Sequence, residues 1–174
     1  GYFLSYWLLN GSDVGSVNPY TINMTDNFSL TAVFAHVQVS LTVATSGKGT
    51  TNATGTVVYD QYTNVTVLAT PDSGYLLSTW LVNGTTVGSQ NPYVINMTDS
   101  FILTAVFSPV QMNLTVQVSG RGATNATGTV SYDQYSNVTV LATAGSGCFF
   151  DHWVLNGSSV GSVNPFIINM TDNF

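Results

Sequence analysis

Gly74–Phe107 reads GYLLSTWLVNGTTVGSQNPYVINMTDSFILTAVF, and the stretch starts twice more, as GYFLSYWLLNG from Gly1 and GCFFDHWVLNG from Gly147. The three starts lie 73 residues apart, and the register holds without insertion or deletion. A fixed period of this size marks an array of small domains or a solenoid, so the chain is read as repeats of one unit. Working outward, the unit opens at VQVSLTV (Val37) or VQMNLTV (Val110) and closes at SLTAVF (Phe34) or ILTAVF (Phe107). Residues 1–36 are then the C-terminal half of a repeat, 37–109 a complete repeat, and 110–174 a repeat lacking its last strand. Ala35-His36 and Ser108-Pro109 read as short linkers, and the whole as a window on a longer polymer.

Two-residue alternation dominates, as half-buried strands require. In Asn64–Thr70, Val65, Val67 and Ala69 share one face, and Asn64, Thr66, Leu68 and Thr70 the other. Phe28, Leu30, Ala32 and Phe34 alternate in the same way. Trp80-Leu81-Val82 runs into Asn83-Gly84, a hairpin signal, because tight primed turns need φ > 0. No segment has a convincing helical period, although a short helix near Leu76–Trp80 stays open. The expected fold is mainly β: a tandem array of small, β-sandwich-like domains with about five strands each. Such a unit buries only about 60% of its unfolded surface and gains from stacking on neighbours.

Charged residues are 6% of the chain, with one Lys (Lys48) and one Arg (Arg121) against eight acidic residues. That excludes the basic footprint nucleic acid needs, and no stretch is apolar for long enough to span a membrane. Abundant Val, Leu, Ile and aromatics argue against disorder. Soluble proteins rely on surface charge, so something else must keep this surface hydrated.

The asparagines suggest what. Twelve of sixteen stand in Asn-X-Ser/Thr: Asn10, Asn23, Asn27, Asn52, Asn64, Asn83, Asn96, Asn113, Asn125, Asn137, Asn156 and Asn169. Three others, Asn18, Asn91 and Asn164, precede Pro. Counted as repeat columns, six of seven asparagine positions show the motif. Ser/Thr/Asn-rich β-proteins produce such triplets by composition, which is the plain alternative. The functional reading is N-linked glycosylation, bulky, solubilising and confined to exposed positions of exported proteins. A unit of this size exposes on the order of 4,000 Å², so four or five acceptors would place one glycan on roughly every 1,000 Å².

Other chemistry is sparse. His36 aligns with Pro109, and His152 with Ser5 and Thr79, so neither recurs as a base or metal ligand. Asp26, Asp99 and Asp172 recur in Met-Thr-Asp, where Asp commonly satisfies nearby backbone N–H groups; calcium would need more clustered oxygens. Asp60 and Asp133 sit in a Tyr-Asp-Gln-Tyr turn. A Lys–Asn crosslink does not fit a column where Lys48 becomes Arg121. Cys148 is alone and reads as a small packed hydrophobe. Trp7, Trp80 and Trp153 read as the largest core side chain of each unit, with a sugar-stacking platform as the alternative. No catalytic, metal or cofactor set is visible, and the chain is not read as an enzyme.

Gly74, Tyr75, Leu77 and Trp80, with Thr104 to Phe107 closing the unit, resemble the divergent InlB B-repeat family of bacterial and archaeal surface proteins. The resemblance implies a compact β-grasp-like module strung in tandem on exported proteins as spacer or adhesive stalk. The expected function is structural: a glycosylated extracellular filament, stalk or surface-layer fibre at the cell surface, prokaryotic (archaeal or bacterial) in view of the missing disulfides. Its expected partners are other copies of itself. The alternative is the spacer of a carbohydrate- or cell-binding adhesin, which would engage cell-surface glycans through a distal domain. No cofactor is expected beyond covalent glycan.

Overall fold

The structure, a computed structural model, describes all 174 residues and contains strands and turns without a helix. Copy one contributes β1 (Tyr2–Leu9), β2 (Ser12–Asp13) and β3 (Leu30–His36). Copy two contributes β4 (Gln38–Ser46), β5 (Gly49–Thr51), β6 (Gly55–Asp60), β7 (Asn64–Val67) and β8 (Ala69–Pro71). It continues with β9 (Tyr75–Val82), β10 (Thr85–Gly88), β11 (Tyr93–Asn96) and β12 (Phe101–Pro109). Copy three holds β13 (Gln111–Val116), β14 (Gly122–Thr124), β15 (Gly128–Asp133) and β16 (Asn137–Val140). Its remaining strands are β17 (Ala142–Ala144), β18 (Trp153–Leu155), β19 (Ser158–Gly161) and β20 (Phe166–Asn169). The complete repeat thus has nine short strands where alternation alone suggests about five.

The chain forms two compact units: Gly1–Thr70 with Leu77–Val106, and Pro71–Leu76 with Phe107–Phe174. In the first, a five-stranded sheet has the order β10-β9-β12-β4-β6. Its middle pair is parallel, from Phe101 opposite Leu41 to Val106 opposite Ser46. Each member has a neighbour outside it: β6 antiparallel beside β4, and β9, itself antiparallel to β10, beside β12. This is the strand order of a β-grasp sheet. Extended pieces, not a helix, cover it. β7 pairs antiparallel with β11, turning Val65, Val67 and Ile95 inward while Asn64, Thr66, Val94 and Asn96 face solvent.

Val39, Leu41 and Val43 of β4, Leu103 and Ala105 of β12, and Val65, Val67, Ile95 and Met97 of the covering layer are all buried. Trp80 is fully buried among the core residues; its indole N–H donates to the Gln90 carbonyl at 3.1 Å and its ring lies 5.8 Å from Tyr93. The helix left open near Leu76–Trp80 does not form. Those residues belong to β9, whose exposure alternates, and Asn83 and Gly84 (φ 48° and 82°) fold the strand back onto β10. Ala35-His36 and Ser108-Pro109 are not linkers either: they complete β3 and β12, leaving one residue, Val37 or Val110, before the next strand.

In the second unit β13 pairs with β15, β16 with β20, β14 with β17 and β18 with β19. Leu114, Val116, Val138, Val140, Ile168 and Met170 form its core. Phe174 starts the parallel pairing that Phe101 starts in copy two: its N–H donates to the Asn113 carbonyl (2.9 Å), and its carbonyl accepts from the Thr115 N–H (2.7 Å). Cys148, expected to pack, is exposed instead. The segment before β18 has no strand pairing in this unit, and Phe149 beside it is 83% exposed.

Trp80→Ala removes the largest buried side chain of the complete repeat and leaves a cavity that β12 and β7 cannot close. Urea unfolding should show a loss of about 3–5 kcal/mol; a loss under about 1 kcal/mol would contradict this packing.

Candidate functional site

All twelve Asn-X-Ser/Thr asparagines are exposed, as are the Ser or Thr two residues on in each case. Exposure alone does not single them out, because Asn18, Asn91 and Asn164 are exposed too. What the side-chain amides do sets Asn91 and Asn164 apart from every motif asparagine but Asn125. Asn91 and Asn164, each before a cis proline, use both ends: the carboxamide oxygen accepts from the N–H of Ala69 or Ala142 (2.9 Å), and Nδ2 donates back to the same residue's carbonyl (2.8 Å). These are local braces between the loop before β11 or β20 and the strand it covers.

Six of the twelve motif asparagines, Asn10, Asn52, Asn64, Asn83, Asn113 and Asn137, use only the side-chain oxygen. Oδ1 of Asn52 accepts from the Leu68 N–H and Oδ1 of Asn83 from the Ile102 N–H, both at 2.8 Å. Asn10 does the same for Ser29 at 2.8 Å, and Oδ1 of Asn113 accepts from the Ser131 hydroxyl at 2.6 Å. Nδ2 of each of these four makes no hydrogen bond. Asn10, Asn83 and Asn156 hold positive φ (49°, 48° and 47°), which asparagine tolerates better than most residues. The hairpin turn therefore explains why an asparagine stands there, but not why Ser or Thr follows two residues later.

Two motif pairs face each other across strands. Asn64 is opposite Asn96, and Nδ2 of Asn96 donates to Oδ1 of Asn64 at 2.8 Å. Asn137 and Asn169 repeat this at 3.1 Å. Asn125 is the remaining exception: its oxygen accepts from Leu141 while its Nδ2 donates to Thr139. Asn23 and Asn27 lie outside strands in copy one; the Asn23 carbonyl accepts from the Thr25 N–H (2.9 Å) and the Asn27 N–H donates to the Asp26 carboxylate (2.7 Å).

The other candidates resolve into structural roles. Asp26, Asp99 and Asp172 each accept from the next residue's N–H at 2.7–2.8 Å, as the turn reading expects. Asp60 and Asp133 accept from the side chains of Gln38 and Gln111 across the β4/β6 and β13/β15 pairs. His36 meets Asp60 at 2.6 Å and His152 meets Asp151 at 3.0 Å, both on the surface. No three His, Cys, Asp or Glu side chains gather around a common point. The buried Trp80 indole cannot serve as a sugar platform. A groove of about 940 Å³ beside β13 is lined in part by Thr115, Phe150 and Trp153.

Residues 39–111 and 113–173 match the family model of the divergent InlB B-repeat domain. Comparison with curated proteins and with solved structures gave no match.

Asn91→Ala should remove both hydrogen bonds to the buried Ala69 backbone and cost about 1–3 kcal/mol in protein without glycan. Asn113→Ala, whose oxygen meets only a surface hydroxyl, should stay within about 0.5 kcal/mol. Equal losses in denaturant titrations of the two variants would refute this division of roles.

Proposed function

The chain belongs to the divergent InlB B-repeat family, and from that premise we propose that it is the N-glycosylated shaft of an extracellular surface filament, stalk or surface-layer fibre. The observation that carries the reading is the contrast in amide use. Motif asparagines such as Asn10, Asn52, Asn83 and Asn113 anchor Oδ1 to the fold and leave Nδ2 free at the surface, whereas Asn91 and Asn164 have no free end. N-linked sugar attaches through Nδ2, so an anchored oxygen with a free nitrogen fixes the amide and aims the attachment point outward.

The surroundings of these acceptors support the same reading. Leu68, held by Asn52, is 44% exposed, and Ile102, held by Asn83, is 54% exposed. A glycan on either asparagine lies over an apolar side chain that two basic and eight acidic residues cannot keep hydrated. Sugar hydroxyls then provide the hydration that ionised groups supply elsewhere. Self-association between coated copies, lateral or head-to-tail, extends the shaft, since a heterologous contact that does not close propagates. The adhesin-spacer alternative differs only in what the shaft carries. Electron microscopy of purified material separates them: regular helical assembly supports the fibre, and isolated strands the stalk.

Glycopeptide mass spectrometry of protein from its native source should find sugar on Asn52, Asn64, Asn83 and Asn137. Within each facing pair the Cβ atoms are only about 5 Å apart, and Nδ2 of Asn96 and Asn169 is already committed to its partner. Occupancy should therefore be higher at Asn64 and Asn137 than at Asn96 and Asn169. Bare peptides at all of these positions would remove the sugar coat from the function.

A further inference from the structure

The chain does not divide in space where it divides in sequence. Pro71–Leu76, which leads copy two into β9, groups with Phe107–Phe174 and not with the rest of its own copy. Backbone hydrogen bonds explain this. The Val110 N–H donates to the Gly74 carbonyl, and the Val110 carbonyl accepts from the Gln134 N–H, both at 2.8 Å. The first unit repeats the arrangement: Val37 donates to Gly1 and accepts from Gln61, again both at 2.8 Å. The single residue between two strands thus links the glycine that starts one copy's Gly-Tyr segment to the Asp-Gln-Tyr turn of the copy after it.

That turn holds an unusual conformation. It is closed by the Thr63 N–H on the Asp60 carbonyl (3.1 Å) and by Ser136 on Asp133 (3.0 Å). Its third residue is Tyr62 or Tyr135, with φ of 72° and 64°. Turns that need φ > 0 at this place take Gly or Asn, and a bulky residue there is an outlier that points to function. The conformation is fixed from behind, since Tyr62 and Tyr135 donate at 2.9 Å to the carbonyls of the fully buried Met97 and Met170. Turn geometry explains the position but not the ring.

The glycine column shows what the ring does. A Cβ on Gly74 would come 2.9 Å from Cδ2 and 3.3 Å from Cε2 of Tyr135. A Cβ on Gly1 would collide with the Gln61 side-chain oxygen. Gly147, the third member, has φ 75° against 78° for Gly74, yet nothing lies within 4 Å of its Cβ position. All three starts carry glycine, but space is short only where the Gln-Tyr turn of a following copy abuts it.

We propose that the Asp-Gln-Tyr turn is a docking surface whose partner is the Gly-Tyr segment of the preceding copy: the Tyr135 ring lies against Gly74, the Gln61 side chain against Gly1, and the intervening valine is clamped by backbone hydrogen bonds on both sides. The junction is then ordered β-structure in place of a free linker. The inference holds with or without glycan, so it stands apart from the functional reading above.

Amide hydrogen exchange on the 174-residue chain tests it. Gly74→Ala should speed exchange of the Val110 and Gln134 amides by about tenfold, the effect of a penalty near 1.4 kcal/mol, while Gly147→Ala leaves them unchanged. Tyr135→Gly gives a readout of opposite sign for the two roles. A residue serving only the turn would exchange more slowly there once glycine relieves φ 64°, whereas loss of the docking ring speeds both amides, with Val140 still protected. Slower or unchanged exchange in Tyr135→Gly, or equal effects of the two alanine variants, would overturn the proposal.

Discussion

The parallel pairing of β4 with β12 is the contact on which the complete repeat depends. It joins the first and last strands of the copy and so closes the longest loop in it, a cost that chain entropy sets and buried area must offset. Once closed, Leu41 and Val43 lie beside Leu103 and Ala105, and both edges of the pair are free to take a hairpin. Trp80 reaches full burial on one of those hairpins. In the second unit the same pairing is represented by Phe174 alone. There β18 is three residues long where β9 has eight, and the Trp153 indole N–H is buried without an acceptor.

A second constraint is the near absence of charge. With two basic residues, few ion pairs are available to specify contacts; on the surface His36 meets Asp60 and His152 meets Asp151. Directional contacts fall instead to carboxamides and hydroxyls. Asparagine oxygens take the N–H groups that hairpins and bulges leave over, Asp oxygens cap the Met-Thr-Asp turns, and threonines meet across strands, as Thr42 does Thr56 at 2.8 Å. Neutral hydrogen bonds of this kind contribute about 1 kcal/mol each, so order rests on many of them acting with the apolar core. Asparagines such as Asn52 and Asn83 thereby support the fold through the side-chain oxygen alone.

The period, the strand alternation and the Asn-Gly hairpin were all legible because each depends on neighbours a few residues apart. Val65, Val67 and Ala69 point inward as the pattern requires, and Asn83 and Gly84 adopt the positive φ their types permit. The candidate acceptors were legible as triplets, and their exposure follows from polar residues on the outer face of a pleat. Their inequality was not. Whether an amide nitrogen is free depends on which backbone group from a distant strand comes within reach, as Ala69 does for Asn91 across 22 positions. Cys148 was misread for a related reason, since its packing depends on pairing across the sheet and not on its own segment.

The sequence by itself determined that the chain is an array of like β-modules and that Val65, Val67 and Ala69 face in, because periodicity and turn chemistry are local properties that repetition makes easy to see. Only the tertiary structure decided that the first and last strands of a copy run parallel at its centre, that the presumed linkers are strand, and that a left-handed tyrosine presses on the glycine of the copy before it. Those features join residues far apart in the chain through backbone hydrogen bonds, which any residue but proline can donate and which leave no mark in composition.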